Sequence, residues 1–103
     1  MPLPATEART RINEQITVEM SVKAAKNCQR CSLTFLDSEE DHHDPKNFAV
    51  AVTDSGKARF REAQIADPAA HFKGKTIRVT GMVIVKDNQP QIEVDDPGQI
   101  ELV

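Results

Sequence analysis

The chain has 103 residues, enough for one domain with a single hydrophobic core. Thirteen Lys and Arg stand against sixteen Asp and Glu, and the resulting net charge of -3 argues against the basic surface of a strongly electrostatic DNA-binding domain. There is no Trp or Tyr and there are only four Phe, which excludes an extensive aromatic platform. No apolar run approaches the ~20 residues of a membrane span, so none is predicted.

Residues 1–14 contain two Pro and show no hydrophobic periodicity. We therefore expect a flexible lead-in at 1–14, followed by a domain at 15–103. The N-terminal residues do not resemble the apolar core of a signal peptide. The sequence leaves the compartment open: exported or periplasmic if a leader was removed and a disulfide forms, otherwise cytoplasmic.

Alternating apolar and polar residues predict five β-strands, at 16–22, 33–36, 48–52, 77–85 and 90–95. Residues 24–30 are polar and basic, and we expect a loop there. Helix-forming residues at 58–65 and a helical turn after Asp67 and Pro68 predict an insert between the third and fourth strands. Asp67 is expected as the N-cap of that turn and Pro68 as its first helical residue.

The alternation also predicts which side chains face the core. The inward set is Val18, Met20, Phe35, Val50, Val79, Val83, Ile92 and Val94. Phe60 or Phe72 from the insert is expected to close one end. The outward residues of the second and third strands are then Ser32, Thr34, Ala49, Ala51 and Thr53, so this face is predicted to carry no aromatic side chain.

Three strands, a helical insert and two further strands are the element order of an all-β, five-stranded OB-fold barrel with Greek-key connections. A ferredoxin-like sandwich needs a helix after its first strand, and this chain has none there. An SH3-like barrel lacks the long helical insert between strands 3 and 4. The sequence therefore favours the OB fold.

Particular stretches resemble a family of small bacterial OB-fold proteins, described as nucleic-acid-binding by analogy with the anticodon-binding OB domain. The most specific are GKTIRVTG at 74–81 and PQIEVDDPGQI at 90–100. Residues 34–38 and 44–52 add to the resemblance, which covers roughly 15–103. It implies an OB barrel that binds single-stranded nucleic acid, DNA included.

The basic residues near the loops that flank an OB binding face are Lys23, Lys26, Arg30 and Lys86. We expect them to contact phosphates, although solvated loop lysines are the simpler interpretation. Without outward aromatic residues, such binding is expected to be weak and salt-sensitive. The alternative function is a protein–protein interaction or structural module that uses the face of strands 2 and 3. No catalytic motif was found, so we predict neither an enzyme nor a cofactor.

Two further motifs remain open. Cys28 and Cys31 form a Cys-x-x-Cys pair that suits a local disulfide, two free thiols or half of a zinc site. A zinc site needs two more ligands, and His42 and His43 are the residues available. The segment Glu39–Asp44 holds both His among carboxylates, but we interpret it as a solvated acidic loop and predict no metal. The oligomeric state stays open.

Overall fold

Strands account for most of the regular structure in the computed structural model, which describes residues 2–86 and 88–103. The strands are β1 (Leu3–Pro4), β2 (Gln15–Ser21), β3 (Ala24–Cys28), β4 (Leu33–Asp37), β5 (Ala49–Val52), β6 (Thr76–Lys86), β7 (Gln89–Val94) and β8 (Ile100–Leu102). The helices are α1 (Ala5–Ala8), α2 (Asp54–Glu62) and α3 (Pro68–Phe72), and a 3₁₀ turn covers Pro97–Gln99. The prediction of a mostly β protein is confirmed.

The strands form one mixed sheet in the hydrogen-bonded order β1-β2-β6-β7-β5-β4-β3, with β8 also paired to β6. β1 is parallel to β2 and β5 is parallel to β7, whereas the other pairs are antiparallel. Only Val22 and Lys23 separate β2 from β3 in the chain. The Val22 N–H donates to Lys75 O (2.8 Å) and the Lys23 N–H donates to Asp37 O (3.0 Å). The chain thus passes from pairing with β6 to pairing with β4 within two residues.

Inward side chains of the strands and helices pack into one hydrophobic core. Its buried members are Ala8, Val18, Met20, Val22, Leu36, Phe48, Val50, Val52, Phe60, Phe72, Ile77, Val79, Val83, Ile92, Val94 and Ile100. The rings of Phe60 and Phe72 meet edge to face with centroids 5.8 Å apart. All of the predicted inward residues belong to this cluster except Phe35.

The prediction for Phe35 was wrong because β4 has the opposite register. Leu36 is fully buried in the core cluster, and Thr34 is buried beside it. Leu33 and Phe35 point to the other face. Phe35 and Leu36 are adjacent apolar residues, so alternation alone does not say which one faces inward, and a shift of one residue exchanges the faces.

Residues 24–30 were predicted as a loop, but β3 occupies Ala24–Cys28 and pairs with β4. Its exposed residues, Lys26 and Asn27, gave it no hydrophobic alternation. β3 has β4 as its neighbour at one end of the strand order, and polar side chains are typical of such an edge strand. Tertiary pairing, which alternation does not report, makes this segment a strand.

The helical segments α2 and α3 lie between β5 and β6. Thr53 caps α2 by accepting the Gly56 N–H (3.1 Å), and Asp67 caps α3 by accepting the Ala69 N–H (3.1 Å). A Cβ atom at position 56 would lie 2.5 Å from the Val94 carbonyl oxygen. Glycine at this position therefore allows α2 to approach β7 closely.

The segment before β2 is attached to the rest of the fold. Leu3 and Pro4 pair with Val18 and Glu19, and Ala8 is fully buried in the core cluster. The boundary at residue 14 stays a prediction. None of the helices in the described part of the chain is long and apolar enough to cross a bilayer.

Candidate functional site

An open groove of about 350 Å³ lies on the outer face of β3, β4, β5 and β7. The groove is lined by Lys26, Cys31, Leu33, Phe35, Asp37, His42, His43, Asn47, Ala49, Lys86, Gln89 and Gln91. Because these residues come from several strands and two loops, the groove exists only in the folded protein.

Strand register explains the depth of the groove. Lys26 lies opposite Phe35, and Asp37 lies opposite Ala49. Ala49 in turn pairs with Gln91 on β7. The small side chain of Ala49 therefore forms a low point between Asp37 and Gln91.

Phe35 supplies the groove with an aromatic ring that the sequence analysis had assigned to the core. Its side chain is partly buried and lines the groove. Lys26 Nζ lies 6.0 Å from the centroid of the ring, within reach of a weak cation–π contact. The expectation of a binding face without aromatic residues was therefore wrong.

The four predicted basic residues divide into two groups. Lys26 lines the groove from β3 and Lys86 lines it from β6, and these strands lie at opposite ends of the run β6-β7-β5-β4-β3. Lys23 does not line it, and its Nζ lies 3.5 Å from Glu39 Oε1. Arg30 is exposed in the turn between β3 and β4, outside the groove lining.

Asp37 is a carboxylic acid with only 4% of its surface exposed. Asn47 Nδ2 donates to its Oδ1 at 3.2 Å. Burial raises the pKa of Asp37 above its ordinary value, and this effect outweighs the Asn47 hydrogen bond and the nearby His42 and Lys26. Asp37 is thus a partly desolvated acceptor in the groove wall.

The raised pKa of Asp37 predicts how stability depends on pH. Above about pH 4 the unfolded chain releases this proton, whereas the native state retains it until a higher pH. The free energy of unfolding therefore falls as pH rises through the native pKa. We expect Asp37→Asn to remove this fall, as measured by urea unfolding between about pH 4 and neutrality.

Asp41→Asn is the control for that measurement. Asp41 is exposed, and the backbone N–H of His43 lowers the pKa of its carboxyl. Asp41→Asn should still show the fall in the free energy of unfolding as pH rises. Equal pH dependence in the native protein and in Asp37→Asn would contradict the prediction.

Gln89, Gln91 and Glu93 alternate along β7 with inward-facing residues. The Nε2 atom of Gln91 is buried and has no hydrogen-bond partner among the residues that the structure describes. The sequence analysis missed Gln91, although the polar alternation in PQIEV was a usable signal. It also missed Asp37 and Asn47, because their convergence depends on the pairing of β4 with β5.

The loop between β4 and β5 brings His42 and His43 to the groove rim. Their ring centroids are 4.0 Å apart, so the two imidazole rings lie side by side in this turn. With Asp41 they place three metal-ligand atoms within 4.8 Å of one another. All three side chains are exposed, and they are the residues of this loop that suit a divalent ion.

Cys28 and Cys31 are joined by a disulfide, with their Cα atoms 5.6 Å apart. The Cys31 N–H also donates to Cys28 Sγ at 3.3 Å. The disulfide closes the turn between β3 and β4, and Cys31 lines the groove.

No family model matches the chain, and neither does any curated protein sequence. Solved structures do match it. Asparaginyl-tRNA synthetase from Pyrococcus horikoshii matches 99% of the chain with a TM-score of 0.64 and 13% identity. Aspartyl-tRNA synthetase from Entamoeba histolytica matches 100% of it, also with a TM-score of 0.64, at 15% identity.

The likeness is one of fold. The chain spans 23% of the Pyrococcus protein and 21% of the Entamoeba protein, about a fifth of each. It supports the expected OB-type fold.

Proposed function

We propose that this chain is a non-catalytic OB-fold module that binds single-stranded nucleic acid in the groove. The observation that carries the proposal is the placement of Phe35 beside Lys26, with Lys86 on the opposite wall. An aromatic ring flanked by cations is the combination that single-strand-binding proteins use to stack bases and hold phosphates.

The proposal includes a five-stranded barrel. β2 and β3 are then two halves of one strand that bends at Val22 and Lys23, joined by β4, β5, β6 and β7. The bend lets the first half pair with β6 and the second half with β4. In this arrangement the groove lies on the face of strands 2 and 3, where OB folds bind oligonucleotides.

The fold comparison supports the same class of ligand. The matched enzymes are named for tRNA, and sequence-specific RNA recognition usually targets unpaired bases. The likeness does not distinguish RNA from DNA for this chain. Oligomers of uridine and of thymidine are therefore both used as probes.

Charge around the groove predicts modest affinity. Lys26 and Lys86 attract phosphate, whereas Asp37 and the acidic loop beside His42 oppose it. The net charge of -3 adds no general attraction. Binding should therefore be weak, and it should weaken further as salt is added.

Fluorescence anisotropy with labelled oligonucleotides at about 50 mM salt tests the proposal, because phosphate contacts are strong there. Saturable binding is the expected result, and gel analysis should recover the oligonucleotide intact. Lack of binding to either probe would overturn the proposal. A protein–protein interaction or structural module would then be the favoured function.

The groove lysines are expected to act through phosphates rather than bases. Lys26→Ala and Lys86→Ala should each weaken binding to all sequences to a similar degree. Each should also reduce the slope of log affinity against log salt by about 0.7. Anisotropy titrations at several salt concentrations measure both effects.

Lys23→Ala and Arg30→Ala are matched controls for the groove lysines, because they remove the same charge outside the groove lining. We expect smaller effects from both. Equal losses for all four variants would show that the groove does not localise binding. A loss confined to one base sequence would contradict a phosphate role.

An oxidising compartment is part of the proposal, because cytosolic thiols are kept reduced and Cys28 and Cys31 are placed to form a disulfide. Thiol counting on unfolded, unreduced protein is the measurement. Protein produced by export should show no free thiol. Two free thiols would remove this argument for an extracytoplasmic location.

A further inference from the structure

Gln91 is the buried polar residue that the fold leaves unsatisfied at the groove. Its side chain is 3% exposed, and its Nε2 has no partner in the described part of the chain. A buried donor without a partner is unfavourable, because the hydrogen bonds that it made with water are not replaced. A ligand acceptor that enters the groove can supply the missing hydrogen bond.

Asp37 offers the complementary chemistry across the groove. Asp37 and Gln91 both flank Ala49 in one cross-strand row, so their backbones are about 10 Å apart. Asn47 donates to Asp37 Oδ1 and thereby orients the carboxylate. The row therefore has an acceptor on one side, a donor on the other and a small residue between them.

We infer that this row selects a guanine base, with Asp37 accepting from its N1–H and 2-amino groups and Gln91 donating to its O6. The inference rests on the proposed function, since it names the base that the same groove prefers. It makes Asp37 and Gln91 the specificity-determining residues of the groove.

Base chemistry is the reason for choosing guanine. A carboxylate is an acceptor with two oxygens, and guanine presents two adjacent N–H donors on its Watson–Crick edge beside an acceptor at O6. Uracil presents one such donor. Adenine and cytosine place an acceptor beside their amino group, which would face the carboxylate unfavourably.

Phe35 completes the arrangement. It lies two residues before Asp37 on the same face of β4, a separation of about 7 Å. A base stacked on this ring can therefore direct its edge toward Asp37 and Gln91. Stacking contributes affinity for any base, whereas the polar pair adds the preference.

The test uses labelled uridine heptamers whose central base is guanine, hypoxanthine, adenine or uracil, titrated against the native protein. We expect the guanine oligomer to bind at least about tenfold more tightly than the adenine or uracil oligomer. Hypoxanthine lacks the 2-amino group but keeps N1–H and O6. The hypoxanthine oligomer should therefore lose most of the gain in affinity that the guanine oligomer shows. This comparison needs no protein variant.

Asp37→Asn and Gln91→Leu should each bring the guanine oligomer to the affinity of the uracil oligomer. Gln15→Leu is the matched control, because it makes the same change at an exposed position of β2 outside the groove lining, and it should keep the preference for guanine. Thermal melts establish that each variant is folded.

The outcomes separate the two proposals. Equal binding of all four oligomers by the native protein overturns the guanine inference and leaves the proposed function standing. Equal binding of the guanine and hypoxanthine oligomers also overturns the assigned contacts. Failure of every oligomer to bind overturns the proposed function itself.

Discussion

Val79→Asp is expected to abolish the cooperative unfolding transition of this protein. Val79 is 0% exposed and pairs with Val18 and Ile100 near the middle of the sheet. A buried carboxylate without a partner costs several kcal/mol, comparable with the ~5–15 kcal/mol that stabilises an ordinary domain. Circular dichroism during heating measures the transition directly.

Met82→Asp is the control for Val79→Asp. Met82 lies on the same strand, but 49% of its surface is exposed, so the new charge stays hydrated. This variant should unfold cooperatively, close to the native melting temperature. A native-like melt for Val79→Asp would instead show that the register assigned to β6 is wrong.

Phe35→Ala is expected to cause the largest loss of oligonucleotide affinity among single substitutions in the groove. Removal of one stacking side chain costs about 1–3 kcal/mol, which corresponds to roughly 5- to 150-fold weaker binding. Phe35 is outside the core cluster, so the melting temperature should change much less than for Val79→Asp. Anisotropy titration at one salt concentration gives the affinity ratio.

Phe35→Tyr separates stacking from shape. Phe35→Tyr keeps the ring and should retain most of the oligonucleotide affinity. Phe35→Leu keeps the apolar volume without the ring and should lose nearly as much affinity as Phe35→Ala. If the Phe35→Ala and Phe35→Tyr proteins bind oligonucleotides equally well, Phe35 does not stack with a base. Binding would then rest on the polar and charged residues of the groove, including Lys26 and Lys86.

Two local features of this protein could be predicted without its tertiary structure. β2 alternates strictly from Ile16 onward, so only one of its faces is apolar and its orientation in the sheet follows. Asp67 and Pro68 occupy the N-cap and first helical positions of α3, because capping depends on neighbouring backbone groups. In both cases the determining interactions lie within a few residues.

The groove required the assembled sheet. Phe35 and Leu36 are both apolar, and the choice between them depends on how β4 packs on the core and pairs with β5. Similarly, β3 has little alternation of its own and is a strand because β4 lies beside it.

The sequence by itself determined a mostly β domain, its central core strands and the N-terminal cap of α3, because those signals arise from local periodicity and backbone hydrogen bonding. Only the tertiary structure decided that Asp37 and Gln91 share a row across Ala49 and that Phe35 faces the same groove. These side chains are far apart in the chain, and strand register, set by packing of the whole core, brings them together.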